Sequence, residues 1–185
     1  MRKFSSKLLW QGKFLKVKGK KFYNKDGKKC LWESVEIKGV RGIIMIFALT
    51  EEKEVVLAKQ FRFPIEKYIV ELPAGLLDKP GESPRQAARR ELLEETGYKA
   101  KKLIFIGRGY FNPGITNNEI IFFLAPDITF VGFDGISSDD SEEIEVIKVP
   151  LKKLTDFCLK RHKNFVIDLK ILNTLKILEE KKLIS

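Results

Sequence analysis

One segment is unlike everything around it. Residues 83–97, SPRQAARRELLEETG, carry their own start and stop signals for a helix. Ser83 can cap the helix, Pro84 suits its first turn, and Gln86 completes a Ser-x-x-Gln capping box. Gly97 stands where a left-handed terminal glycine belongs. The flanking sequence reads in strand periods instead. Residues 13–23 roughly alternate apolar and basic, Asn24–Gly27 is a turn signal, and 30–38 is a second extended run, which together predict a hairpin. IIMIFAL (43–49) reads as a buried strand, followed by strands over 54–63 and 68–72. Beyond the helix, strands are expected at 103–111, 119–125 and 142–149, and helices at 151–160 and 166–182. Strands, one helix, strands, then helices predict an α+β mixed sheet with helices packed on it, not a regular βαβ array.

The same helix carries the chemistry. Glu91 and Glu95 are four residues apart and so project from one face, with Glu94 beside them and Arg90 able to pair with Glu94. Clustered carboxylates repel one another, and a hard divalent cation removes that conflict. Mg2+ takes oxygen ligands and shares a few carboxylates with substrate phosphates. Such a platform needs no histidine, and the chain has one, His162, which reads as a solvated residue at a helix end. Two distant cysteines, Cys30 and Cys158, exclude a disulfide scaffold and a Cys-rich zinc site.

ELPAGLLDKPGESPRQAARRELLEETGY (71–98) resembles the Nudix box, Gly-x5-Glu-x7-Arg-Glu-U-x-Glu-Glu-x-Gly-U, where U is aliphatic or aromatic. From Glu82 to Tyr98 every position matches. Gly75 and Glu82 are separated by six residues where the pattern has five, so the departure falls in the loop and leaves the helix register intact. QFRFP (60–64), Pro113-Gly114 and the strand ending FFLA are similar to the ADP-ribose pyrophosphatase branch of that family, although Asn112 stands where the branch usually has serine.

The resemblance implies the Nudix fold, a mixed β-sheet sandwiched between helices, with a small N-terminal antiparallel β-sheet. Residues 1–38 would form that small sheet and serve dimerisation, and 39–185 would form the hydrolase domain with its C-terminal helices. It implies Mg2+-dependent hydrolysis of ADP-ribose, or a related nucleoside diphosphate sugar, to AMP and ribose 5-phosphate, with Mn2+ as an alternative ion. Glu91, Glu94 and Glu95 would be metal ligands, with the Ala74 carbonyl completing the shell. Arg90 would orient the glutamates, and Glu82 would hold Arg90 or bind metal. Glu94 is also a candidate base. A further base is expected on the loop before the late strand, where Glu142 aligns best and Glu143 is its neighbour. Arg62 and Pro113 would contact substrate. Trp32, Phe61 and Phe111 are candidates for stacking on adenine, although aromatic residues in strands are more often core.

The net charge of +10 resides in residues 1–30, which hold eleven Lys/Arg and one acid, Asp26; the rest of the chain is balanced. That segment reads as a Lys-rich sheet face and contains no compact nucleic-acid motif with paired aromatics. No apolar run approaches the roughly 20 residues that span a bilayer, and the basic start has no continuous apolar stretch of a secretory signal. A cytoplasmic protein without membrane association is therefore expected, and the hairpin-rich N-terminus together with the resemblance implies a homodimer. The competing readings are a hydrolase of another nucleotide sugar, such as GDP-mannose, and a non-catalytic nucleotide- or nucleic-acid-binding module.

Overall fold

The structure is a computed structural model that describes residues 2–133 and 143–184. Its first three strands, β1 (Arg2–Gln11), β2 (Leu15–Tyr23) and β3 (Lys29–Ile37), form a separate antiparallel sheet in that order. The β2–β3 turn is local chemistry: the Asn24 side chain accepts from the backbone N–H groups of Asp26 and Lys28, and Gly27 takes a φ of 76°.

The main sheet begins with β4 (Ile43–Leu49), β5 (Glu54–Arg62), β6 (Lys67–Glu71) and β7 (Ala74–Leu76). Helix α1 (Pro84–Thr96) follows, then β8 (Tyr98–Ala100), β9 (Ile104–Gly109), β10 (Ile120–Ala125) and β11 (Ile128–Phe130). The chain continues through β12 (Glu145–Pro150), α2 (Leu154–Leu159), β13 (Val166–Ile167) and α3 (Lys170–Glu180). Eight strands make one mixed sheet with the path β13-β6-β5-β4-β10-β9, to which β12 adds on β5 and β7 on β4. β10 lies parallel to β4 and β13 parallel to β6, while β8 and β11 pair separately.

The apolar run 43–49 becomes the centre of the sheet because both of its faces are covered. Met45, Phe47 and Leu49 pack with residues of α2 and α3, including Leu154, Ile171, Leu175 and Leu178. Ile44, Ile46 and Ala48 pack with Ala87, Ala88 and Leu92 of α1 on the other side. Strand alternation thus builds two cores from one segment. Each fully buried Leu, Ile or Phe contributes about 1.5–3 kcal/mol, which pins α1 against the sheet.

The C-terminal part corrects one expectation. The 166–182 segment is not helical throughout: Val166 and Ile167 pair with Ile69 and Val70 of β6, and the helix starts at Lys170. β1 is also a strand that periodicity did not announce. Register shifts at Lys3/Ser5 and Leu8/Trp10 break its alternation.

Candidate functional site

Helix α1 is set by its ends. Ser83 Oγ accepts from the Gln86 backbone N–H while Gln86 Oε1 accepts from the Ser83 backbone N–H, the reciprocal capping box. Gly97 closes the helix at φ 71°, its N–H bonded to the Leu93 carbonyl. With Ala87, Ala88 and Leu92 buried, the helix is fixed in rotation, and Arg90, Glu91, Glu94 and Glu95 are presented beside β7.

Arg90 is the hub. Its Nε donates to Glu82 Oε1 at 2.8 Å and its Nη2 to Glu82 Oε2 at 3.0 Å. Nη1 donates to Glu91 Oε1 at 2.7 Å and to Glu94 Oε2 at 2.9 Å. The guanidinium fork thereby ties three carboxylates together. The hydrogen bond from Arg90 draws the Glu82 carboxyl below its ordinary range, and Glu82 in turn pushes Arg90 further up. Burial, partly countered by Arg90, raises Glu91, with Glu94 and Asp78 adding repulsion.

The extra residue between Gly75 and Glu82 is absorbed by a turn. The Glu82 backbone N–H bonds to the Lys79 carbonyl, and Gly81 adopts a φ of 77°. Arg41, which sequence reasoning did not single out, clamps this turn, donating from Nη2 to the Lys79 and Glu82 carbonyls at 2.9 and 2.7 Å.

β7 completes the arrangement. Glu95 is buried and accepts from the Ala74 backbone N–H at 3.0 Å. Gly75 lies so near Glu91 that a Cβ there would stand 1.9 Å from the carboxyl carbon. Among the described residues no three His, Cys, Asp or Glu side chains already form a metal cage; Glu91 and Glu94 are engaged by Arg90. The donor set nevertheless suits a hard divalent cation. Glu91, Glu94, Glu95 and the Ala74 carbonyl offer only oxygen, and the bare Gly75 backbone leaves the Glu91 carboxylate room.

The candidate substrate residues divide. Trp32 Nε1 donates to the Gly114 carbonyl at 2.8 Å, beside Pro113, and the Val35 N–H bonds to the Ile115 carbonyl, so the small sheet holds the 112–116 loop. Arg62 pairs with Glu71 at 2.7–2.8 Å. Burial raises the Glu71 carboxyl, with Arg62 opposing. Asp168, near Glu71, is paired with Lys170, whose ammonium lies 5.4 Å from the Phe111 ring centre. A chain of charges therefore links Arg62 to Phe111, and Glu71, Asp168 and Lys170 were not expected from sequence. Trp32 and Phe111 are 52% and 46% exposed, so neither is core. Phe61 departs from its candidate role. It neighbours Arg62 on β5, so alternation turns it to the opposite face, where it meets Tyr68 edge to face at 5.4 Å.

Glu142 lies outside the described residues. Glu143 is exposed just before β12, and Glu145 is a strand-face residue paired with Lys59 at 2.6 Å. His162 is not the solvated helix-end residue expected: it lies in the loop after α2, half-buried against the Phe165 ring, its Nε2 2.8 Å from the Phe157 carbonyl. Cys158 is buried, and burial pushes its thiol up to about 11. No helix among the described residues is long and apolar enough to cross a membrane.

Residues 40–170 match the sequence model of the NUDIX domain. An ADP-ribose pyrophosphatase of Bacillus subtilis (strain 168) is 42% identical over 111 residues, 60% of this chain and 59% of that protein, so the match spans about three fifths of the relative's length. An ADP-sugar pyrophosphatase of Mus musculus is 36% identical over 166 residues, 81% of this chain and 73% of that protein. The fold is similar to that of a crystal structure of an ADP compounds hydrolase, with a TM-score of 0.80 over 98% of this chain and 94% of the other at 21% identity.

Proposed function

The chain belongs to the Nudix family of hydrolases, and from that premise we propose that it hydrolyses the pyrophosphate bond of ADP-ribose, or of a closely related ADP-sugar, giving AMP and ribose 5-phosphate. The observation that carries the reading is the Arg90-centred carboxylate set on α1, packed against the Ala74-Gly75 backbone. The substrate class is supported by the relatives that align with this chain.

In this reading water attacks one phosphorus, the bond from that phosphorus to the bridging oxygen breaks, and the bridging oxygen leaves with the other phosphate. A divalent cation, Mg2+ or in its place Mn2+, would be held by Glu91, Glu94, Glu95 and the Ala74 carbonyl; when bound it neutralises phosphate charge and lowers the pKa of water. Arg90 keeps Glu91 and Glu94 in place through its two Nη1 bonds, and Glu82 keeps Arg90 in place. The Ala74 N–H fixes Glu95. Glu142, or its neighbour Glu143, takes the proton of the attacking water. Arg62, oriented by Glu71, offers a planar guanidinium to phosphate, while Trp32, Phe111 and Pro113 wall the base end.

A homodimer through the N-terminal sheet is part of the proposal. Leu9 and Leu31 flank Gly19 on one face of that sheet and are 44% and 56% exposed, an apolar area that a second copy would cover. Light scattering that gave a monomer mass would remove this element alone.

The test is a hydrolysis panel of ADP-ribose, GDP-mannose and ATP with Mg2+, resolving products by chromatography. Fastest release of AMP from ADP-ribose, abolished by EDTA, is expected. Fastest cleavage of GDP-mannose would contradict the substrate, and cleavage of nothing would contradict the activity.

A further inference from the structure

We propose that the chain carries a second ligand pocket, apart from the carboxylate site, that takes a nucleoside monophosphate between β6 and the loop joining α2 to β13. A cavity of about 620 Å³ opens there, within the range of small-molecule sites. It lies on the α2 side of the sheet, the face opposite α1, and none of the α1 carboxylates lines it.

Two properties of its wall point to the ligand. The first is aromatic. Phe61 and Tyr68 meet at 5.4 Å and are 38% and 42% exposed. Across the cavity the His162 ring stacks on Phe165 at 4.3 Å and 21°, and its bond to the Phe157 carbonyl holds it there. The Lys59 ammonium, fixed by Glu145, lies 5.3 Å from the Tyr68 ring centre and 5.9 Å from that of Phe165, tying the two walls together. These rings keep a set geometry, and Phe61 and Tyr68 remain partly exposed, which suits the stacking of a planar base.

The second property is charge. Lys67, Lys160, Arg161 and Lys163 line the same cavity, against one acid, Glu66. None of the four bases forms a salt bridge with an acid among the described residues. Three of them fall within four consecutive positions, so they repel one another, and an anion offsets that repulsion. Arg161 suits a phosphate because its fork bonds two oxygens at once. A bare anion would leave the rings unused and an uncharged aromatic would leave the bases unused; a base joined to a phosphate engages both.

The proposal is tested by calorimetric titration of the full chain with AMP in EDTA. Without a divalent cation the charges of Glu82, Glu91, Glu94 and Glu95 disfavour a phosphate at the α1 site, and Arg62→Ala reports any AMP still held there through Arg62. The expected result is saturable binding of one AMP, weakened about tenfold or more in the triple variant Lys160→Ala/Arg161→Ala/Lys163→Ala and unchanged in Arg62→Ala. Adenosine and ribose 5-phosphate should each bind more weakly than AMP. The single reversal Arg161→Glu should weaken AMP in the same direction, and both variants should keep the wild-type melting temperature. No saturable binding, equal affinity in the triple variant, or loss only in Arg62→Ala would overturn the pocket. Ribose 5-phosphate binding as tightly as AMP would overturn the nucleoside ligand. Neither the titration nor its outcomes depend on whether ADP-ribose is hydrolysed.

Discussion

Arg90 grips Glu82 with two near-parallel hydrogen bonds, Nε to Oε1 at 2.8 Å and Nη2 to Oε2 at 3.0 Å, across a loop one residue longer than the family pattern. The pair forms in spite of the extra residue, because the Lys79–Gly81 turn takes it up and Arg41 clamps that turn.

Arg90→Lys keeps the charge and loses the fork. A single ammonium cannot hold Glu82 from two nitrogens while also reaching Glu91 and Glu94. Hydrolysis should fall about 10–100-fold, the usual cost of losing an outer partner of metal ligands, with Mg2+ required at higher concentration. Wild-type turnover and Mg2+ dependence in the variant would show that Arg90 does not position the carboxylates.

Gly75→Ala should separate activity from stability. The added Cβ would stand 1.9 Å from the Glu91 carboxyl carbon, but a glutamate tip can swing away. The stability loss measured in urea should stay within about 1 kcal/mol, while displacement of Glu91 lowers turnover about a hundredfold. A variant as active as wild type would show that Glu91 does not need its present place.

Glu71 makes a pH prediction. Burial raises its native pKa above the unfolded value near 4.5. The native state then keeps this proton to higher pH than the unfolded chain does. Its contribution to stability is fully present below the unfolded value and is lost as pH rises through the native value. Glu71→Gln cannot ionise and still offers Arg62 an acceptor, so the decline of the urea midpoint over that range should flatten. The same decline in the variant would assign it to another group.

The sequence made α1 legible in full because its determinants are local: Ser83, Gln86 and Gly97 act within one turn of the residues they fix. The central strand was legible because IIMIFAL is apolar on both faces. What was not legible depends on distant partners. Val166–Ile167 became a strand only because β6 offers a free edge. Glu71 became the partner of Arg62 through the pairing of β5 with β6, and Arg41 found Lys79 and Glu82 through a loop 38–41 residues away. Trp32 stood as a stacking candidate although its residue type is more often core; its indole N–H is spent on the Gly114 carbonyl and its ring is half exposed, contacts with a loop 82 residues away that no local pattern shows.

The most direct measurement is the ADP-ribose turnover of Glu95→Gln beside wild type in Mg2+. Glu95 keeps an acceptor for the Ala74 N–H in this variant and loses its charge. The account predicts an unchanged melting temperature and a loss of turnover at the upper end of, or beyond, the roughly 10–100-fold that losing a mere outer partner of a metal ligand costs. Wild-type turnover in the folded variant would contradict it.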